Sequence, residues 1–353
     1  MQEKEESFEI EIKNLGDYQT DEIIGSLDSL VALKSKDSYL IATKDKGILV
    51  IEDKHIVYKK SLPRVCKGLI DAVYVETLKS YFFCNETQIY KKGANSAEPV
   101  PFLEISCSGN FGKALRYSKV NQKLIVVQDF DEIAVVNLFT RKIEIELEKL
   151  EGNEIVDFSL FGSLEERLIA LTHNGWISLF NYKIEKLGKE SRLKIPFWRM
   201  ETADALTVCS QSRYFCVALT SLTEEEAEVS SRIAIYEVQG NIICFRGALD
   251  LLPQELSVIS SLTFVGYLGS QLVFLALECG EGTAHLFGFE KKDPTNKLVT
   301  ELTGLKVKHE ELNPCRPVKL GGEFVYVGFG GQLLSLSFKR EDEAEVEGEE
   351  EVN

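Results

Sequence analysis

Histidine is scarce in this 353-residue chain, with one each at 55, 173, 285 and 309, each in a different part of the sequence. None stands in His-x-x-x-His or mixed Cys/His spacing, so the sequence offers no ordinary zinc pattern or catalytic-base constellation, and no cofactor is expected. The eight cysteines (66, 84, 107, 209, 216, 244, 279 and 315) include no Cys-x-x-Cys pair and fall mostly inside apolar runs. That pattern predicts reduced, buried thiols. Also missing are the Gly-x-Ser-x-Gly elbow of an acyl-transfer nucleophile and a glycine-rich phosphate loop before a helix. Residues 328–331 are glycine-rich but join two apolar runs, which reads as a turn. His285, beside Leu286 and Phe287, reads as a core histidine. No window approaches the ~18 to 20 apolar residues that span a bilayer. The start, Met1-Gln-Glu-Lys-Glu-Glu-Ser7, lacks the basic and apolar regions of a secretory signal. The expectation is an intracellular protein, cytoplasmic or nuclear, in which the sequon at 85–87 is fortuitous.

Positive charge is in deficit: the net charge is −16, with eight of the acidic residues in the last thirteen positions. Sequence-independent nucleic-acid binding works by neutralising phosphates with Lys and Arg, so the balance argues against it. One sector departs from the rest. Between Lys34 and Lys67 nine basic residues face four acidic ones, a net of +5. Lys44, Lys46, Lys59, Lys60 and Arg64 are therefore candidates for contact with an anionic partner or with the acidic tail, against the alternative of ordinary solubilising lysines. Four glutamates between 224 and 228 form a second acidic cluster, in a predicted surface loop spanning 220–231.

What the chain does have is repetition. Residues 167–182 read as two apolar runs around His173-Asn174-Gly175, and Asn-Gly supplies the positive φ angles of a two-residue hairpin turn. The same shape recurs with first runs starting near 38, 80, 122, 166, 213, 271 and 323. Spacings of 42, 42, 44, 47, 58 and 52 residues suit four short strands per unit, with surface loops absorbing the excess. The last unit has only three strands, while Phe8-Glu-Ile-Glu-Ile12 alternates with period two outside the first unit. The economical solution is an all-β, seven-bladed β-propeller of four-stranded antiparallel blades, closed by the N-terminal strand pairing into the last blade. The domain reading is a disordered 1–7, a single propeller over 8–338 and an acidic disordered tail over 339–353.

In repeat length, number and strand pattern the chain resembles the WD-repeat propellers over 8–338, although the Gly-His and Trp-Asp dipeptides are missing: second strands of the hairpins end Ile51-Glu-Asp53, Phe180-Asn-Tyr182 and Tyr236-Glu-Val238. The resemblance implies a non-catalytic scaffold that binds other proteins, a monomeric propeller by itself and a subunit of a larger assembly. A second likeness rests on Cys244-Phe-Arg-Gly247 and Glu281-Gly-Thr-Ala-His-Leu-Phe287. This is similar to the phosphoinositide-binding autophagy propellers, whose motif has two adjacent arginines where this chain has only Arg246. It implies a peripheral lipid site at Arg246. A propeller enzyme with carboxylates facing a central channel is the remaining alternative.

Overall fold

In the computed structural model, each repeat folds into one sheet. Strands buried on both faces are apolar throughout instead of alternating, because a neighbour covers either side. The second strand of the second repeat, Ser80–Asn85, is buried at every position and includes Phe82 and Phe83 with no exposed surface. The structure describes residues 8–17, 27–32, 38–43, 47–52, 55–60, 69–93, 99–108, 113–146, 154–162, 166–181, 188–195, 201–209, 213–222, 229–250, 258–268, 271–279, 283–290, 299–306, 318–320, 323–327 and 332–340.

These residues form seven four-stranded antiparallel sheets. Sheets 1 to 6 occupy 27–60, 69–104, 115–146, 155–194, 201–250 and 258–306, each with its strands in chain order. Sheet 7 takes three strands from the end of the chain, Val318–Leu320, Glu323–Val327 and Gln332–Arg340, and its fourth from the beginning, Phe8–Asp17. The register of that last pairing runs from Phe8 opposite Arg340 to Asp17 opposite Gln332. First strands of successive sheets lie against one another from sheet 1 through sheet 6, and the first strand of sheet 7 lies against that of sheet 1.

The core sits between sheets. One apolar cluster joins sheets 2 and 3, another sheets 3 and 4, a third sheets 4 and 5, and a fourth sheets 5 and 6. Each fully buried phenylalanine in them, such as Phe158, Phe180 or Phe215, contributes about 1.5–3 kcal/mol over leaving it exposed.

A regularity invisible in the residue pattern appears in the register. In sheets 1 to 6 the pairing of third and fourth strands slips by one residue, at Val50/Ile51, Ile89/Tyr90, Val135/Val136, Leu179/Phe180, Ile235/Tyr236 and Leu286/Phe287. Sheet 7 slips in its N-terminal strand between Asn14 and Gly16. A bulge adds twist and leaves one residue unpaired, which blunts the outer edge of each sheet against further strand addition.

Two turn expectations are corrected. In 173–175 only Gly175 has positive φ, at 76°, and its N–H donates to the Thr172 carbonyl, so the turn is a type I-like arc ending in one left-handed glycine. Two consecutive left-handed residues occur instead at Asp129 and Phe130, where no glycine announces them. The loop expected over 220–231 is shorter: Leu222 pairs with Val229 and Thr220 with Ser231, extending the sheet, while the four glutamates of 224–228 lie outside the described residues.

Candidate functional site

Among the described residues a dense charged cluster forms where the first strands of sheets 2 to 5 begin. Two of those strands start with two apolar residues and an aspartate, Leu69-Ile70-Asp71 and Ile155-Val156-Asp157. In both, the strand slips register just before the aspartate. Asp71 Oδ1 accepts the N–H of Ala72 at 2.7 Å, while Oδ2 accepts the N–H groups of Ala114 at 3.0 Å and Leu115 at 2.8 Å at the start of the next sheet. Asp157 repeats the device one step further: Oδ1 accepts the N–H of Phe158 at 2.7 Å and Oδ2 that of Leu206 in sheet 5 at 2.9 Å. A first strand is the edge of its own sheet, and at Ala114, Leu115 and Leu206 the preceding sheet supplies a carboxylate to its N–H groups.

Cations fill the intervals. Arg116 Nη1 donates to Asp71 Oδ2 at 3.1 Å, its Nη2 lies 3.7 Å from Asp157 Oδ1, and the guanidinium stacks 4.9 Å above the Phe158 ring. Lys113, only 2% exposed, places Nζ 3.8 Å from Asp157 Oδ2 and donates to the Asp204 carbonyl at 3.0 Å. The sequence of charges is thus Asp71, Arg116, Asp157, Lys113, carried by sheets 2 to 4 and by the residue leading into sheet 3, with Lys113 reaching the Asp204 carbonyl of sheet 5. Buried carboxylates and cations alternate so that each charge has a counterion, the condition under which buried ions are tolerated.

Asp204 ends the row. Burial pushes its carboxyl above the ordinary value, opposed by the Thr220 hydroxyl, the Lys113 charge, the Thr202 hydroxyl and His173. Because the folded value is raised, the associated stability is fully present below the unfolded value of about 3.9 and is lost as pH rises through the folded one. Asp204→Asn should therefore raise the urea midpoint near pH ~7 and leave it unchanged near pH ~3.5.

The residues singled out from sequence are scattered relative to this cluster. Lys59 and Lys60 lie on the fourth strand of sheet 1, opposite Leu49 and Ile48. Lys44, Lys46 and Arg64 lie outside the described residues. Arg246 is the bulged residue of the fourth strand of sheet 5, far along the chain from the basic sector. Its Nε donates to Glu237 Oε2 at 2.8 Å, and its Nη2 donates to the same oxygen. Gln239 Nε2 donates there too, at 3.0 Å. A guanidinium committed to a carboxylate on the neighbouring strand is poorly placed to take a phosphate. Arg246→Ala is expected to leave flotation with phosphoinositide vesicles unchanged, as read by the fraction of protein recovered with the lipid.

Two further groupings complete the inventory. Trp176, at the start of a strand in sheet 4, carries Arg192 Cζ 3.9 Å and Lys194 Nζ 5.4 Å from its ring centroid, and Lys194 Nζ donates to the Asn174 carbonyl. Partial burial, and then the Arg192 charge, lower the Lys194 pKa. Cys84 of sheet 2 and Cys107, just after its last strand, are buried together. A hydrogen bond to Cys107, with burial second, holds the Cys84 thiol well above its ordinary value. Such a thiol is poorly nucleophilic. Among the described residues no three His, Cys, Asp or Glu side chains converge as a metal site.

Asp71, Lys113, Arg116 and Asp157 went unnoticed in the sequence. The available signal was an acidic residue at the third position of an apolar first strand, occurring twice. Reading it requires knowing that this strand has an open edge facing another sheet.

No family model and no curated protein sequence matches the chain. Similarity to solved structures is extensive: the crystal structure of BBS1N in complex with ARL6DN, soaked with mercury, matches with a TM-score of 0.64. The match covers 94% of this chain and 97% of that chain at 10% identity. BBS1N is a β-propeller. The fold of this chain is propeller-like. The likeness extends to 1141 solved chains, and a fold so widely shared carries no particular ligand or reaction with it. Among the described residues no helix is long and apolar enough to cross a membrane.

Proposed function

We propose that the chain is a closed seven-bladed propeller, divergent from the WD-repeat type, that serves as a non-catalytic protein-binding platform in a larger intracellular assembly. The observation that carries this reading is the use to which charge is put. The buried aspartates and cations at the inner strands are spent on one another and on backbone N–H groups, tying sheet to sheet. Large apolar side chains are meanwhile left in solvent at the turns, including Phe139, Phe130 and Ile242. A rigid body with apolar tips binds macromolecules with little ordering cost. One solved propeller similar in fold was itself crystallised as a complex, BBS1N with ARL6DN, which supports a protein partner here by analogy of fold alone. The phosphoinositide reading loses support from the Arg246 to Glu237 pairing.

The test is affinity purification of the full chain from the cells that make it, followed by size-exclusion chromatography. Stoichiometric protein partners that stay with the chain through the column are expected. A chain that elutes alone at its own mass of 39.7 kDa at physiological salt and concentration contradicts the platform reading.

A further inference from the structure

Seven large hydrophobic side chains are exposed among the described residues, and three of them gather at one end of sheets 2 and 3. Val120 sits in the turn between the first and second strands of sheet 3, Phe139 in the turn between its third and fourth, and Val100 opens the fourth strand of sheet 2. In an antiparallel four-stranded sheet those turns fall at the same end. The two sheets are joined there: the Thr77 and Tyr117 hydroxyls are 3.3 Å apart, and the Arg141 guanidinium lies 5.7 Å from the Phe102 ring centroid. Scattered apolar residues need no explanation, but a cluster does.

The charge around this cluster is opposite to that of the molecule. Lys79, Lys119, Arg141 and Lys142 are all exposed at the same end. The described acidic residues there are Glu76, Glu144 and Glu166; Glu144 is held by Lys123 at 2.7 Å and by Asn137, and Glu166, buried, accepts from the Ser118 hydroxyl and from Asn121 Nδ2 at 3.2 Å. In a chain of net charge −16 this is a local positive field. Phe139 is 67% exposed on a turn whose backbone is fixed, since its N–H and that of Thr140 both donate to Asn137 Oδ1, at 2.8 and 3.0 Å. An exposed aromatic on a fixed turn, with cations at the same end of the sheets, is the arrangement that reads an acidic segment bearing an apolar side chain.

We infer that the turn end of sheets 2 and 3, centred on Phe139 with Lys119 and Arg141, is a docking surface for an acidic, apolar-bearing segment of a partner protein. The inference rests on the platform reading and gives it an address. A short acidic segment meets only the field within a Debye length, about 8 Å at physiological salt. An anionic bilayer, extended over the whole face, would meet the net negative charge of the molecule as well. That difference favours the peptide over the membrane.

The test uses the full chain and a fluorescein-labelled twelve-residue peptide of glutamate and aspartate carrying one phenylalanine and one leucine, followed by fluorescence anisotropy. Saturable binding is expected, weakened about tenfold or more in Lys119→Glu/Arg141→Glu and clearly reduced in Phe139→Ser. All three positions are exposed, and an unchanged urea midpoint checks that the variants are folded. Absence of binding, or equal binding by parent and variants, overturns the inference. So does variant-sensitive binding to phosphatidylserine vesicles without binding to the peptide, which assigns the surface to a membrane. Self-association of the parent that the variants abolish assigns it to a second copy. Binding that emerges only after the carboxylates of 341–351 are changed to amides assigns it to the chain's own tail. If the charge-reversed chain still co-purifies with every partner of the parent, the surface is wrong and the platform stands; a parent without partners removes the platform itself.

Discussion

Replacing Asp71 with alanine is expected to destabilise the protein by about 3–5 kcal/mol, the range for removing one member of a buried charged network, seen as a large fall in the urea midpoint. The carboxylate is 3% exposed and receives three backbone N–H groups and one guanidinium nitrogen. Alanine removes the shared acceptor of all four, leaving Arg116 with the Leu115 carbonyl and Asp157. The cost is not the net worth of the interactions, which water would partly replace, but the desolvation penalty of donors left buried without an acceptor. Asp71→Asn should fall between the two, because one carbonyl oxygen can still accept while the amide nitrogen faces other donors. Asp157 occupies the equivalent place in sheet 4, so Asp157→Ala should behave in the same way, with Lys113 losing an ion-pair partner and Arg116 the more distant of its two. If either alanine variant were as stable as the parent, the clamps would be incidental.

Phe158→Ala is expected to cost a similar amount, about 3–5 kcal/mol for deleting a fully buried aromatic ring. The ring packs among Ile125, Val127, Ile133 and Val135 of sheet 3 and Leu168, Ala170 and Phe180 of sheet 4. It is also the surface on which the Arg116 guanidinium rests, adding a cation–π contribution of about 0.5–2 kcal/mol. The variant should therefore loosen the charge row as well as the core. Coupling between Phe158→Ala and Asp71→Ala, measured as non-additivity in a double-mutant cycle, would show the two acting through Arg116. Additive losses would mean that the ring contributes by packing alone.

The sequence was a good guide to what repeats and a poor guide to what joins. Strand positions could be read because a buried strand is a short apolar run between turn residues: 124–127 was expected, and Lys123–Gln128 is the strand. The N-terminal strand was legible from its period-two pattern, Phe8 to Ile12, and from the missing fourth strand of the last unit; Phe8–Asp17 pairs with Gln332–Arg340. Turn geometry was less accessible. Asn174-Gly175 looked like a two-residue turn yet has a single left-handed residue, whereas Asp129-Phe130 has two without a glycine, because hydrogen bonds from neighbouring strands set the local path. The N–H of Ile155 donates to the Phe130 carbonyl at 2.7 Å, and the N–H of Phe130 to Ser108 Oγ.

The charged row was missed for a similar reason. Asp71 and Arg116 are 45 residues apart, Lys113 and Asp157 44, and no window of sequence holds either pair. Only the stacking of one sheet beside the next brings them together. The basic sector of 34–67 was conspicuous because its residues are contiguous, whereas Lys79, Lys119 and Arg141 form a patch assembled from three turns in two sheets. Contiguous charge is easy to see, but a partner reads charge assembled in space.

A platform of seven blades is rigid only if the ring is closed, which requires Phe8–Asp17 and Gln332–Arg340 to meet in one sheet. Glu11 and Ser337 are direct partners in that pairing. Cα atoms of paired strands lie about 4.5–5.5 Å apart, within disulfide reach. In the double variant Glu11→Cys/Ser337→Cys, mild oxidation followed by proteolysis and mass spectrometry should recover one cross-linked peptide containing both engineered positions, from protein that remains monomeric. Both positions left as free thiols, or linked only between molecules, would contradict a ring closed by the N-terminal strand.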